Sequence, residues 1–104
     1  MHIEINTDHN INGDARLREV VEAAIHQHLG PLESRLSDVE VHLKDIRGPK
    51  GGVDIRATVE ARPEGLRPMA THDDATGVEA AIKGAAKKMR TRLDSEFGKL
   101  SDRG

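Results

Sequence analysis

The sequence predicts an α+β domain in which a four-stranded mixed sheet carries two helices on one of its faces. Two observations support this prediction. Apolar residues alternate with polar ones in four segments, and they recur at three- and four-residue steps in two others. Three of the alternating segments follow one another with only turn residues between them, as in an antiparallel meander. The predicted order of elements is therefore β-α-β-β-β-α.

The first strand and the first helix open the chain. The segment "MHIEIN" alternates and predicts a half-buried strand over 1–6. Turn-forming residues follow, among which Asn12 or Asp14 can cap a helix by accepting from its first free amides. Apolar residues then recur at helical spacing over 14–36. We expect a kink or break at Gly30-Pro31, because proline has no amide proton and crowds the preceding turn.

Three further strands are predicted in succession. The segments "DVEVHLKDI" (38–46) and "VDIRATVEAR" (53–62) alternate clearly, and "RGPKGG" between them predicts a turn. The segment "LRPMATH" (66–72) is a weaker strand, and Pro68 places it at a sheet edge because it cannot donate to a ladder. A helical crossover between the first two strands predicts that they are parallel. Both helices should cover one face, which leaves the other exposed to solvent.

The last helix follows the segment "DDAT". Asp73 and Asp74 are predicted to cap this helix, and the alternative is a general acid and base pair. The apolar stripe of the helix extends from Val78 to Leu100, and residues 100–104 are expected to fray. Because 104 residues are the size of one domain, the whole of 1–104 is interpreted as a single unit.

Composition narrows the classes of protein that fit. The chain has no cysteine, which excludes disulfides, thiolate nucleophiles and Cys-based metal sites. It has no apolar run near the roughly 20 residues that cross a bilayer. A location in the cytoplasm is therefore expected. The only aromatic residue of the Phe, Trp and Tyr group is Phe97, so the core must be aliphatic.

Charge is distributed unevenly along the chain. The formal net charge is −2. Residues 1–82 contain 9 basic and 15 acidic side chains, whereas residues 83–104 contain 7 basic and 3 acidic ones. This asymmetry indicates one electropositive surface near the carboxyl end of an otherwise acidic domain.

The last helix is predicted to present two rows of cations beside its apolar stripe. The six side chains are Lys83, Lys87 and Arg90 on one flank, and Lys88, Arg92 and Lys99 on the other. We expect few acids to neutralise either row, so that a cationic ridge could bind a polyanion by counterion release. The alternative is an ordinary solvated helix face, where lysine and arginine are common. Without aromatic platforms, a nucleic acid would be held by backbone and shape, which favours a folded RNA.

Other constellations give weaker signals. His26 and His28 lie two apart on a helix and point in different directions, so they cannot chelate one ion together. His2 and His42 could be neighbours on the exposed sheet face, but no metal site is predicted. The segment "GPKGG" lacks the spacing of a phosphate-binding loop. We expect no cofactor, no small-molecule substrate and no enzymatic activity.

Four segments carry a resemblance to a known family. They are "INTDHNI", "VEVHL", "GGVDIRATVEARPEGLRP" and "EAAIKGAAKKMRTRLDSEFGKL". Together with the order of elements, they make the chain similar to the ribosome hibernation-promoting factors, also called ribosome-associated inhibitors or Y proteins and described as modulators of sigma-54. The likeness covers nearly all of residues 1–100 and is to a short form of the family.

The resemblance implies a domain shaped like a double-stranded-RNA-binding domain that lodges on the small ribosomal subunit, where tRNA and mRNA would sit. It implies contact with 16S-type rRNA and silencing of translation under stress and in stationary phase. The first helix of family members is also basic. The RNA-binding candidates implied by position are Lys83, Lys87, Lys88, Arg90, Arg92, Lys99, Arg16 and Arg35.

A second interpretation stays open. A domain of the same fold could bind an acidic protein partner, or could form a weak homodimer through the edge strand near Pro68, without binding ribosomes tightly. A third interpretation, a small metal-dependent enzyme, would require bound metal in the purified protein.

Overall fold

A computed structural model describes residues 1–47 and 54–103, with the side chain of Arg103 excepted. The elements occur in the predicted order, with a 3₁₀ helix after the first α-helix. They are β1 (His2–Thr7), α1 (Ala15–Leu29), the 3₁₀ helix (Gly30–Arg35), β2 (Leu36–Asp45), β3 (Ile55–Pro63), β4 (Met69–Ala75) and α2 (Val78–Arg103). The turn predicted before Val53, and Val53 itself, lie outside the described residues.

The four strands form one mixed sheet in the order β1-β2-β3-β4. β1 runs parallel to β2, with Ile3 opposite Val39, as the helical crossover predicts. β2, β3 and β4 form an antiparallel meander. The meander confirms the predicted fold class and the edge position of β4.

Both helices pack on one face of the sheet. Inward side chains of β2 and β3 alternate with exposed ones and join a single cluster with the apolar stripes of α1 and α2. The largest fully buried side chains are Ile25, Leu29, Leu43, Ile82, Met89, Leu93, Val21, Val39, Val41 and Val59. Each such aliphatic side chain contributes about 1.5–3 kcal/mol when it leaves water. The opposite face of the sheet keeps its polar side chains at least partly exposed.

α1 begins and ends where its sequence provides the signals. The Asp14 carboxylate accepts a hydrogen bond from the Leu17 amide at 2.9 Å, which makes Asp14 the N-cap. The helix ends at Leu29, and the chain continues as a 3₁₀ helix through Pro31. This confirms the break at Gly30-Pro31. Leu36, predicted as the last helical apolar residue, instead opens β2 and is buried there.

The prediction that Asp73 and Asp74 cap the last helix is wrong. Both belong to β4, because its ladder with β3 continues to the pair between Ile55 and Ala75. Successive strand residues point to opposite faces, so the two carboxylates cannot act together on one substrate. On the open face, Arg56 donates two hydrogen bonds to Asp74, at 2.8 and 3.0 Å. This guanidinium holds the pKa of the Asp74 carboxyl below its usual value.

A tight turn joins β3 to β4. The Leu66 amide donates to the Pro63 carbonyl at 3.4 Å, and Gly65 has a φ of 77°. A positive φ at the third residue of a four-residue turn is typical of type II and favours glycine. α2 then begins at Val78 and continues to Arg103, so residues 100–103, which were predicted to fray, are helical. Within 1–47 and 54–103, no helix is long and apolar enough to cross a membrane.

Candidate nucleic-acid interface

The buried stripe of α2 fixes where its cations lie. Ile82, Met89 and Leu93 are fully buried against the rest of the core, and the helix packs on β3, β4 and α1. One flank of α2 therefore lies along α1 and the other along the edge strand β4. We call the cations on these flanks the α1 flank (Lys83, Lys87 and Arg90) and the β4 flank (Lys88, Arg92 and Lys99).

The α1 flank contains two ion pairs and one lysine without a partner. Lys83 Nζ lies 2.9 Å from Glu79 Oε1, and the exposed fractions of the two side chains are 50% and 62%. Arg90 Nε lies 2.9 Å from Asp94 Oδ2, and its Nη1 donates to the His28 carbonyl of α1 at 3.1 Å. Lys87 is exposed, and its ammonium group makes no hydrogen bond or ion pair with any described residue.

Two of the three cations on the β4 flank, Lys88 and Arg92, bind the sheet edge. Lys88 Nζ donates to Asp73 Oδ1 at 2.9 Å and to the His72 carbonyl at 3.0 Å. Arg92 Nη1 donates to the Ala70 carbonyl at 3.2 Å. Within the described residues β4 pairs with a strand on one side only. The backbone carbonyls on its other side therefore have no hydrogen-bond partner from a neighbouring strand. These two cations therefore cover part of an open strand edge.

Gly84 allows α2 and β4 to approach closely. A Cβ added at Gly84 would overlap the Asp73 carboxylate. At the next residue of the helix, the Thr71 hydroxyl donates to the Ala85 carbonyl at 2.8 Å. The side chain of Asp73 thus lies across the surface of α2, where it reaches Lys88.

The remaining predicted cations lie at the two ends of the helix pair. Arg35 stacks 3.5 Å above the centroid of the Phe97 ring, which is only 4% exposed. Lys99 Nζ lies 3.2 Å from Glu96 Oε1. Arg16 is exposed at the start of α1 and, with Glu79, lines a groove of about 280 Å³ between the starts of the two helices.

The pKa of the Glu79 carboxyl shows the effect of the cations around this groove. A hydrogen bond from Lys83 lowers the pKa of the Glu79 carboxyl, and the charges of Lys83 and, more weakly, of Arg16 lower it further. Both cations therefore stabilise a negative charge at this position. An incoming anion at the seam between α1 and α2 would meet the same two cations.

The prediction that few acids neutralise the two rows is wrong. Among the described residues, four of the six cations form ion pairs. The carboxylates are Glu79, Asp94 and Glu96 on α2 itself and Asp73 on β4. The three helical partners lie at spacings of three or four residues and were visible in the sequence. Asp73 was not, because its contact depends on how β4 packs against α2.

The cations in these ion pairs can still bind a polyanion. Each pair is at least partly exposed to solvent, and pairs of this kind contribute little to stability. Residues 78–103 contain 7 basic and 4 acidic side chains, so the helix keeps a net charge of +3 on a chain of net charge −2. A dense polyanion can therefore replace the intramolecular carboxylates at small cost.

The histidines are arranged differently from the sequence prediction. His2 pairs with Asp38 across the β1–β2 ladder, and His42 pairs with Asn6, so His2 and His42 are not neighbours. His42 instead lies beside Glu40 and Glu60 on the open sheet face, and these three side chains form a group that could hold a metal ion. This group was not predicted from the sequence, because Glu60 joins it from another strand.

Comparisons with known proteins identify similar sequences and folds. A family model described as "Sigma 54 modulation protein / S30EA ribosomal protein" matches residues 3–101. A ribosomal subunit interface protein from Coxiella burnetii has a similar structure, with a TM-score of 0.77 and 15% identity over 94% of this chain and 99% of that one. The N-terminal domain of Protein Y from Thermus thermophilus matches with a TM-score of 0.67 and 19% identity over 89% of this chain and 96% of that one. A search of curated proteins found no significant match.

Proposed function

The chain belongs to the sigma 54 modulation protein / S30EA ribosomal protein family, and from this membership we propose that it is a ribosome-associated factor that silences translation. Its partner in this proposal is the small ribosomal subunit. The likeness to a ribosomal subunit interface protein over 94% of the chain supports it, since the two proteins share a fold. The protein would act by occupying a site and would carry out no chemical step.

The rRNA-binding surface in this proposal is the α1 flank of α2 together with Arg16 of α1. The observation that supports it is the exposure of Lys83 and Lys87. Lys83 forms one ion pair, with Glu79, and Lys87 forms none with the described residues. The β4 flank contributes less, because Lys88 and Arg92 already donate to backbone carbonyls of the edge strand.

Electrostatics favour a nucleic acid over an isolated anion at this surface. Neutralising several phosphates releases condensed counterions, so affinity increases with each phosphate contacted and falls with salt. The losses on the protein side are the pairs of Lys83 with Glu79 and of Arg90 with Asp94. Ion pairs at a solvent-accessible surface contribute little to stability. The balance therefore favours exchange of a carboxylate for a phosphate.

Recognition would rest on backbone and shape. Phe97, the single residue of the Phe, Trp and Tyr group, is 4% exposed and is covered by Arg35, so it offers no platform for a base. Single-strand binders depend on such platforms, whereas folded RNA is recognised by its shape and its phosphates. The binding partner proposed for this surface is therefore a structured region of rRNA.

The test is sedimentation with ribosomes and a charge-matched pair of variants. The wild-type protein should co-sediment with 30S or 70S particles at low salt. Lys87→Glu should weaken binding and reduce the slope of log affinity against log salt by about 1 or more. Lys44→Glu is the control, because it makes the same charge change at an exposed position on the opposite sheet face.

A further variant tests whether carboxylates compete with phosphates. Glu79→Gln removes the partner of Lys83 and should strengthen binding at low salt. Wild-type protein that stays at the top of the gradient at low salt would contradict the proposed function. Equal weakening by Lys87→Glu and Lys44→Glu would remove α2 from the mechanism, since only net charge would then matter.

A further inference from the structure

The open face of the sheet brings like charges together. Glu40 of β2 is directly opposite Glu4 of β1 on one side and Glu60 of β3 on the other. Facing carboxylates on neighbouring strands destabilise a sheet unless something positive lies between them. No lysine or arginine in the described ranges pairs with Glu40 or Glu60. The row therefore needs a different counter-charge.

His42 lies next to this row and points into it. Its Nε2 is 3.4 Å from Glu40 Oε2 and 3.9 Å from Glu60 Oε1. That atom has less than 1 Å² of accessible surface and no hydrogen-bond partner in the part of the chain that the structure describes. A nitrogen that is occluded and unpartnered is rare in proteins and requires an explanation, such as a bound ion.

We propose that Glu40, His42 and Glu60 form a binding site for a divalent transition-metal ion, with Zn²⁺ as its representative. The three ligand atoms lie within 4.8 Å of one another. Tetrahedral zinc with bonds of about 2.0–2.2 Å holds its ligands about 3.3–3.6 Å apart, close to the 3.4 Å between His42 Nε2 and Glu40 Oε2. A small rotation of the exposed Glu60 side chain completes the set.

The donor set selects the class of metal. Imidazole nitrogen with carboxylate oxygen suits Zn²⁺ and its first-row neighbours, whereas Ca²⁺ and Mg²⁺ take oxygen ligands. The ion would place two positive charges where two carboxylates face each other. Three protein ligands leave a further position for water or for an anionic group from a partner. This site is on the sheet face away from α2, so it is independent of the proposed rRNA contact.

The test is titration of the full, chelator-treated chain with Zn²⁺ by calorimetry, together with the absorption spectrum of the Co²⁺-loaded protein. We expect one ion per chain and a higher melting temperature with Zn²⁺, since binding to the folded state stabilises it. His42→Gln and Glu60→Gln should each lower the affinity at least about tenfold and reduce the thermal shift accordingly.

His72→Gln is the matched control. His72 is exposed on the same sheet face, in β4, outside the group. Its replacement should leave stoichiometry and affinity unchanged. The proposal is overturned if the wild-type chain does not bind Zn²⁺. It is also overturned if the His42→Gln variant binds Zn²⁺ as tightly as the wild type and, without metal, melts at the same temperature as the metal-free wild type. It is equally overturned if His72→Gln removes the binding.

Discussion

Replacing Gly84 by alanine should destabilise the domain, although alanine is the better helix former. In an unobstructed helix the change gains about 1 kcal/mol. At Gly84 the new Cβ would overlap the Asp73 carboxylate, and Asp73 Cβ lies 3.0 Å away, so rotation of the carboxylate alone does not relieve the contact. Overpacking of this kind costs about 1–3 kcal/mol, and the displaced Asp73 also loses its exposed pair with Lys88, about 0–1 kcal/mol. We expect a net loss of about 1–2 kcal/mol.

Gly98→Ala is the control for this prediction. A Cβ at Gly98 meets nothing within 4 Å, so alanine should stabilise the protein by up to about 1 kcal/mol. Urea unfolding followed by circular dichroism measures both changes, and a loss of 1 kcal/mol lowers the melting temperature of a domain this size by about 4–8 °C. In an Asp73→Ala background the penalty of Gly84→Ala should shrink, because the carboxylate is gone. Stabilisation by Gly84→Ala in the wild-type background would refute the close packing of α2 on β4.

Two further predictions concern acid stability and the sheet edge. The Asp45 amide donates to Asp8 at 2.8 Å and lowers the pKa of that carboxyl below its usual value. The stabilisation from this hydrogen bond is therefore present above the usual carboxyl pKa and is lost as pH falls through the lowered pKa of the folded state. Asp8→Asn should therefore lose less stability than the wild type between about pH 5 and pH 3, as measured by urea unfolding, and parallel pH profiles would contradict this. Removing Lys88 and Arg92 together, as alanines, should uncover edge carbonyls of β4 and promote concentration-dependent association in analytical ultracentrifugation. Lys87→Ala, which removes a cation from the other flank, should stay at the wild-type association state.

The fold could be predicted because its signals are local. Alternation in β1, β2 and β3 and the three- and four-residue steps in α1 and α2 each depend on residues close in sequence. The cap, predicted at Asn12 or Asp14, is at Asp14, and the break at Gly30-Pro31 is confirmed; both signals are likewise local. The error at Asp73 and Asp74 has a physical reason. Capping residues and strand residues compete for the same segment, and pairing with β3 decided in favour of the strand.

The candidate site was harder to predict because its charges are set by tertiary contacts. The helical spacing of Lys88 and Arg92 is visible in the sequence, but their bonds to β4 carbonyls require knowledge of which strand lies beside α2. The group around His42 is similar, since Glu40 is two residues away whereas Glu60 joins from β3. A single sequence indicates which residues lie on the same face of a helix or strand. It does not indicate which other element that face packs against.

The two flanks of α2 consequently differ in what they can offer a partner. A phosphate that binds Lys88 or Arg92 must compete with the edge carbonyls, and success would uncover part of β4. A phosphate that binds Lys83 displaces only the exposed Glu79 carboxylate, and one that binds Lys87 displaces no described partner. Helical periodicity does not distinguish the two rows of cations, whereas the packing of β4 gives Lys88 and Arg92 of the β4 flank a structural role. A polyanion should therefore approach α2 over its seam with α1, where release of the cations costs the fold least.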